Sequence, residues 1–275
     1  MFFGSSRPVV AVLRLHGIIG RVGPVRTGIT LAGLASVIER AFRMRHLKAV
    51  ALTINSPGGS PVQSALIHTR IRALAEEKGI PILAFAEDVA ASGGYWLACA
   101  GDEIYANENS IVGSIGVVSA GFGFPEMLKR LGIERRVYTS GERKAILDPF
   151  RPEDAEDVAH LRAIQGDIHE SFKTLVRTRR GKRLKGAEKE LFSGAFWTGR
   201  KALELGLIDG IGDLRTVARD RFGHKVRLKV VEPGRGWLRR RLGIAAPDRM
   251  ADAGIWADRL IAAVEERFLW NRFGL

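Results

Sequence analysis

Short apolar runs alternate along this chain with longer stretches in which apolar positions recur every three or four residues. Residues 9–15 (Val-Val-Ala-Val-Leu-Arg-Leu), 49–54 and 82–86 are nearly unbroken apolar runs bounded by turn residues. Such runs mark strands covered on both faces. Between them, 29–44 and 61–77 carry helical spacing, and a further helix is expected to open near Ser92. Strands that alternate with helices imply parallel βαβ units, and so an α/β fold.

Further short strands are expected over 102–105, 116–119 and 133–138. After Pro152 the pattern turns helical. A long amphipathic helix is expected over 153–180, with Pro152 near its first turn, where its missing N–H costs nothing. Shorter helices follow over 187–192, 198–205 and 213–222, and then a late strand over 226–231. Residues 233–250 are basic and contain Pro and Gly, the composition of a linker. The expected organisation is one domain over 1–232, a basic linker over 233–250, and an amphipathic helix within 251–275 that aligns Leu260, Ile261, Val264 and Phe268.

Composition narrows the class. Hydrophobic residues make 46% of the chain and charged residues 27%, which fits a globular domain and excludes global disorder. The net charge of +13 favours acidic partners. No nucleic-acid module appears, so no nucleic-acid partner is expected, and an anionic membrane surface is the preferred peripheral contact. The single cysteine, Cys99, sits among Leu97, Ala98 and Ala100 and reads as a small core residue. No run of about 18 apolar residues exists, so no transmembrane helix is expected. The expected location is the cytoplasm, with peripheral membrane contact as a further expectation. No cofactor and no metal site is expected.

Three segments carry candidate chemistry. Asn55-Ser-Pro-Gly-Gly-Ser60 places two glycines between a strand and a helix, where backbone N–H groups can face a developing oxyanion. Ala90-Ala-Ser92-Gly-Gly is a second strand-to-helix junction, whose small residues permit a sharp elbow that exposes Ser92. Each also fits an ordinary turn, with Ser60 and Ser92 as helix caps. The third is Gly141-Glu-Arg-Lys144-Ala-Ile-Leu. Of the six histidines none lies between Ser92 and His160, and His160 and His169 are poorly placed as a pair, so a Ser-His-Asp triad has little support. Lys144 is the alternative base. A lysine serves as a base only when neutral, and Ala145, Ile146 and Leu147 are expected to give it a dry setting. Between serine and lysine, Gly113-Ser-Ile-Gly116 is expected to wall a cleft, with Ser114 orienting Lys144.

Taken together, Ile54-Asn-Ser-Pro-Gly-Gly, Ala91-Ser-Gly-Gly-Tyr, Gly113-Ser-Ile-Gly-Val117, the Lys144 segment with Asp148-Pro-Phe, and Thr198-Gly-Arg-Lys-Ala-Leu-Glu-Leu-Gly-Leu-Ile-Asp209 resemble the signal peptide peptidase SppA family. The resemblance covers about residues 8–231. It implies a crotonase/Clp-like fold of repeated ββα units with a helical C-terminal part, and hydrolysis of peptide bonds. It carries the nucleophile onto Ser92, the base onto Lys144, the oxyanion amides onto Gly58 and Gly93, and the substrate cleft onto Gly59, Gly113, Ser114, Ile115 and Gly116. It also implies small hydrophobic or membrane-associated peptides as substrates, signal-peptide remnants among them, and a ring- or bowl-shaped homo-oligomer. The N-terminal anchor of many members is not read in this chain. Two other classes stay open: a crotonase-fold enzyme acting on acyl-CoA, and a non-catalytic scaffold.

Overall fold

The computed structural model describes residues 7–22, 26–141, 143–232, 263–264 and 266–274. The apolar run at the start forms β1 (Val9–His16), buried over its first five residues. A small antiparallel ribbon follows, β2 (Arg21–Val22) with β3 (Arg26–Thr27). Thr30 then opens α1 (Leu31–Phe42), its hydroxyl accepting the Gly33 N–H at 3.2 Å. β4 (Leu47–Ser56) runs into α2 (Pro61–Lys78), which Ser60 caps by accepting the Gln63 N–H. Gly79, at φ 62°, ends that helix in the left-handed conformation glycine adopts without strain.

β5 (Ile82–Ala91), ten residues long like β4, runs to Ser92, and α3 (Gly93–Ala98) follows that residue. β6 (Glu103–Ala106) and β7 (Ile111–Gly113) come next, then α4 (Pro125–Arg130) within an exposed arm. The long helix is α5 (Ala155–Arg180), capped by Asp154. α6 (Glu188–Leu191), β8 (Phe196–Thr198), α7 (Gly199–Glu204), β9 (Gly210–Ile211), α8 (Leu214–Phe222) and β10 (Arg227–Val230) complete the domain.

Among the described residues the main sheet has the order β10-β1-β4-β5-β6-β9, every neighbouring pair parallel. The alternation of strand side chains divides the core. Ala11, Leu13 and Leu15 face the layer formed with α1, α2 and α3, whereas Val10 and Val12 face the side that Ala218 of α8 covers. Each fully buried Leu or Ile there contributes about 1.5–3 kcal/mol.

One feature of the topology creates the site. β5 pairs with β6 through Leu83–Ala86 but with β7 through Val89–Ala91. Its edge is therefore shared between two strands that diverge, and β8 extends the upper one by antiparallel pairing. The crevice opens at the carboxyl end of β5, the general place for a ligand site in such sheets.

The α/β architecture expected from the pattern is present. Two expected strands are not. Residues 116–119 and 133–138 carry no strand pairing, and the second lies exposed within the arm. In their place the short strands β7 and β8 close the sheet. The proposed linker over 233–250 lies outside the described residues. Of the C-terminal helix, 263–264 and 266–271 are helical and the remainder of 251–262 is not described.

Candidate active site

Ser92 stands at the junction of β5 and α3 with φ 52° and ψ −122°. This backbone is sparsely populated for a residue with a side chain, and holding it costs on the order of 1–3 kcal/mol. Flanking bonds hold it. The Ser92 N–H donates to the Gly113 carbonyl at 2.8 Å, and its own carbonyl accepts the Trp96 N–H at 3.0 Å. Ser92 occupies the N-cap position of α3, yet its hydroxyl makes no capping bond. The capping role that explains Ser60 therefore does not explain Ser92.

The small residues of the junction are required by contact. A Cβ on Gly93 would stand 2.6 Å from Ser64 Oγ, and one on Gly94 would stand 2.6 Å from the Ser56 carbonyl oxygen. The Gly58–Gly59 turn is pressed against the same place, with φ of 107° and 140°. A Cβ on Gly58 would lie 2.8 Å from that of Ser92 and 2.9 Å from the Gly93 nitrogen. The segment after β1 pins this turn: Ile19 donates to the Gly58 carbonyl, and Ser60 donates to that of Ile19, both at 2.8 Å.

These contacts bring backbone donors to Ser92. Gly93, the first residue of α3, has no intrahelical acceptor for its N–H. The Gly59 nitrogen lies 3.4 Å from where a Cβ on Gly93 would sit. The Gly58 N–H points to Ser56 Oγ at 3.2 Å, a long bond.

A cavity of about 350 Å³ opens beside Ser92. Ser114, Gly116, Val117 and Val118 line one wall, and His169, Ser193, Gly194 and Arg272 the rest. Ser114 holds φ 53° and donates its N–H to the Ala195 carbonyl at 2.7 Å. Gly113 gives room to Trp197, whose ring a Cβ there would meet at 2.7 Å. Ile115 is fully buried and packs in the core. Of the residues expected in the cleft, Ser114 and Gly116 line the cavity, and Gly59, Gly113 and Ile115 do not.

Lys144 does not line this cavity. It sits exposed in a turn, its N–H donating to the Gly141 carbonyl at 3.2 Å; Ala145 and Ile146 beside it are only half-buried and Leu147 is exposed, so the dry setting expected from the sequence is not formed within one chain. His160 is exposed. His169 was not expected here: its Nε2 lies 3.1 Å from the Ile115 carbonyl oxygen, and it borders the Ser92 cavity. No sequence spacing points to it, because the contact joins residues 54 positions apart.

Behind α3 the chain is tightly tied. Burial pushes the Cys99 thiol up to about 12, which leaves it inert and suits the small core residue expected from the sequence. The Tyr95 hydroxyl donates to the Leu207 carbonyl at 2.7 Å. Arg180, 2% exposed, grips both carboxylate oxygens of Asp209 at 2.7 and 3.0 Å. Burial opposes ionisation of Asp209, but the Arg180 bonds and the Ile104 N–H outweigh it and hold the carboxyl below its usual range. Among the described residues no cluster of side chains could hold a metal ion.

The model of peptidase family S49 matches residues 74–225, more than half of the chain. Chloroplastic serine protease SPPA of Arabidopsis thaliana is 34% identical over 218 residues, covering 76% of this chain and 31% of the plant protein. Protease 4 of Haemophilus influenzae is 31% identical over 182 residues, covering 65% of this chain and 29% of its own. A protein of Brucella abortus named Na(+)/H(+) antiporter NhaA is 52% identical over 279 residues, covering 99% of this chain but 38% of the antiporter. The chain therefore spans 29–38% of the length of these relatives. The antiporter's name describes a protein most of which lies outside the alignment, and among the described residues no helix is long and apolar enough to cross a membrane. The family match, the relatives named SPPA and protease 4, and an α/β fold of the ClpP-like type agree: this chain belongs to peptidase family S49, the family of SppA and protease 4.

Proposed function

We propose that the chain is a serine endopeptidase in which Ser92 is the nucleophile and Lys144 the general base. The observation that carries this reading is the backbone of Ser92, held at positive φ with a hydroxyl unspent on capping, directly against the open amide of Gly93. Neutral Lys144 takes the hydroxyl proton as Oγ attacks the scissile carbonyl. The oxyanion is held by the Gly93 N–H together with the Gly58–Gly59 turn. The lysine then protonates the leaving amine, and water cleaves the acyl-enzyme.

The exposed position of Lys144, outside the cavity of its own chain, supports a base supplied to Ser92 by a neighbouring copy. The arm that carries it presents apolar side chains to solvent, with Phe122 76% and Tyr138 90% exposed, as a segment does that is covered on assembly. The reading is thus a homo-oligomer, a ring or bowl, acting on small hydrophobic or membrane-associated peptides. The charge of +13 supports a working place at an anionic membrane surface.

A fluorophosphonate probe tests the assignment. The full chain is expected to be labelled at Ser92, and Ser92→Ala to lose both labelling and peptide hydrolysis. An acyl-CoA enzyme or a scaffold gives no label, and labelling elsewhere, with hydrolysis intact in Ser92→Ala, refutes the proposal.

A further inference from the structure

The cavity beside Ser92 is lined by hydroxyl, glycine and valine groups with two exceptions, and both are basic. His169 reaches it from α5, its Nε2 at 3.1 Å from the Ile115 carbonyl oxygen. Because a carbonyl only accepts, that ring nitrogen is the donor, as the hydrogen bond assigns it. The other ring nitrogen makes no hydrogen bond among the described residues; in the neutral ring it is an acceptor, and it donates to an arriving carboxylate only when the ring carries a second proton.

Arg272 reaches the same cavity from the C-terminal segment. Its place is set from both sides. Leu269, three residues before it, packs against Ile18 at the end of the β1 crossing. Phe273, the residue after it, stands edge-on to Phe196 of β8, with ring centroids 5.1 Å apart and planes at 67°. Among the described residues Arg272 forms no ion pair, and no carboxylate lines the cavity. Some arginines of this chain are matched, as Arg135 with Asp148 and Arg177 with Glu188, and exposed ones such as Arg14, Arg130 and Arg162 stand without an ion pair among the described residues; what sets the exposed Arg272 apart is its place beside Ser92. A guanidinium delivered to a nucleophile's cavity without a counter-charge is complementary to an anion that arrives with the substrate.

We infer that the cavity beside Ser92 takes a carboxylate of the peptide substrate, with Arg272 and His169 as the residues that determine this specificity. A guanidinium fits a carboxylate with two parallel hydrogen bonds, which a neutral amide of the same shape cannot match. The carboxylate comes from an acidic side chain or from the end of the peptide chain. The inference rests on Ser92 marking the substrate site. It departs from a purely apolar preference: the valines hold the apolar part of the substrate while the two basic groups select its charge.

Binding to the full-length Ser92→Ala chain separates this inference from the catalytic reading, because no turnover is needed. Three dye-labelled peptides of one apolar sequence are compared by anisotropy. One has a Gln and an amidated end, one a Glu in its place, and one the Gln with a free terminal carboxylate. One of the two acids is expected to bind about fivefold more tightly than the neutral peptide, the size of a partly exposed ion pair, and the advantage should shrink with added salt. Which acid gains identifies the source of the carboxylate. Arg272→Gln should abolish the advantage, so that acidic and neutral peptides bind that variant equally, and Arg272→Glu should reverse it in favour of a Lys peptide. His169→Gln, which keeps a donor for the Ile115 carbonyl, should reduce it in part. Equal binding of all three peptides, or an acidic preference that survives Arg272→Gln, overturns the inference. Loss of fluorophosphonate labelling in the wild type bears only on the catalytic reading.

Discussion

His68 shows how a single buried residue sets a property of the whole domain. It lies on α2, 9% exposed, and its Nε2 has no hydrogen-bond partner among the described residues. Burial, and then the charges of Arg179 and Arg72, lower its pKa from 6.5 to about 4, against the backbone bond at Cys99. The folded protein therefore holds a neutral ring where the unfolded chain takes up a proton. Between pH 6.5 and 4 the unfolded state binds more protons, so stability falls with falling pH across that window and is fully present above it. The loss approaches about 3 kcal/mol by pH 4. His68→Leu should flatten the urea-unfolding free energy between pH 6.5 and 4 and leave it within about 1.5 kcal/mol of the wild type at pH 8. An unchanged acid slope in the variant would show that other groups carry it. Ser92 makes the converse point, since its strain lowers stability in exchange for a hydroxyl that caps nothing and borders the cavity.

At the scale of elements, what the sequence shows and what it hides follow from pairing distance. β1, β4, β5, α1 and α2 were legible because continuous apolar runs and helical periods are local, and Ser60, Pro61 and Gly79 mark the limits of α2. Ser92 and its glycines were legible for the same reason. The strands expected over 116–119 and 133–138 fail because an apolar alternation becomes a strand only with a partner, and within one chain these residues have none. β7 and β8 escaped notice because each has three residues. His169 and Arg272 could not be read at all, since only the folded chain brings them to Ser92. The Thr198–Asp209 motif, which the sequence could only match to a family, gains a physical role. Asp209 locks the end of α5 through Arg180 and Arg183, and accepts the Ile104 N–H of β6. Breaking that lock should be costly. Arg180→Met leaves a mostly buried carboxylate with Arg183 alone, and should destabilise the domain by about 3 kcal/mol in denaturant melts. The double variant with Asp209→Leu should recover much of the loss, because it removes the stranded charge. If the double variant were no more stable than Arg180→Met, charge pairing would not be the cause.

At the scale of the molecule the dyad and the arm are one question. Ser92 lies in the rigid sheet end, while Lys144 sits at the surface of an exposed arm that precedes α5. The 51 residues between them could fold back, but within one chain the turn that carries Lys144 leaves it outside the Ser92 cavity. A shared site makes the exposed apolar groups of the arm and the absent base two consequences of one assembly. Mixing two inactive chains discriminates between the arrangements. Ser92→Ala and Lys144→Ala should each hydrolyse nothing alone. Unfolded together and refolded at equal ratio, they form mixed assemblies in which some interfaces pair an intact Ser92 with an intact Lys144. In a ring with random placement, and with each site drawing on one neighbour, about a quarter of the sites are expected to be complete, so the mixture should regain about a quarter of the wild-type rate, because independent sites contribute additively. Fluorophosphonate labelling should return on the Lys144→Ala chains alone, since only they carry the serine. Phe122→Asp in the arm should lower both the assembly size in light scattering and the recovered activity, by placing a charge where an apolar contact forms. Well-formed mixed assemblies without activity would rule out the shared site and leave Ser92 and Lys144 to meet within one chain, through a movement of the arm.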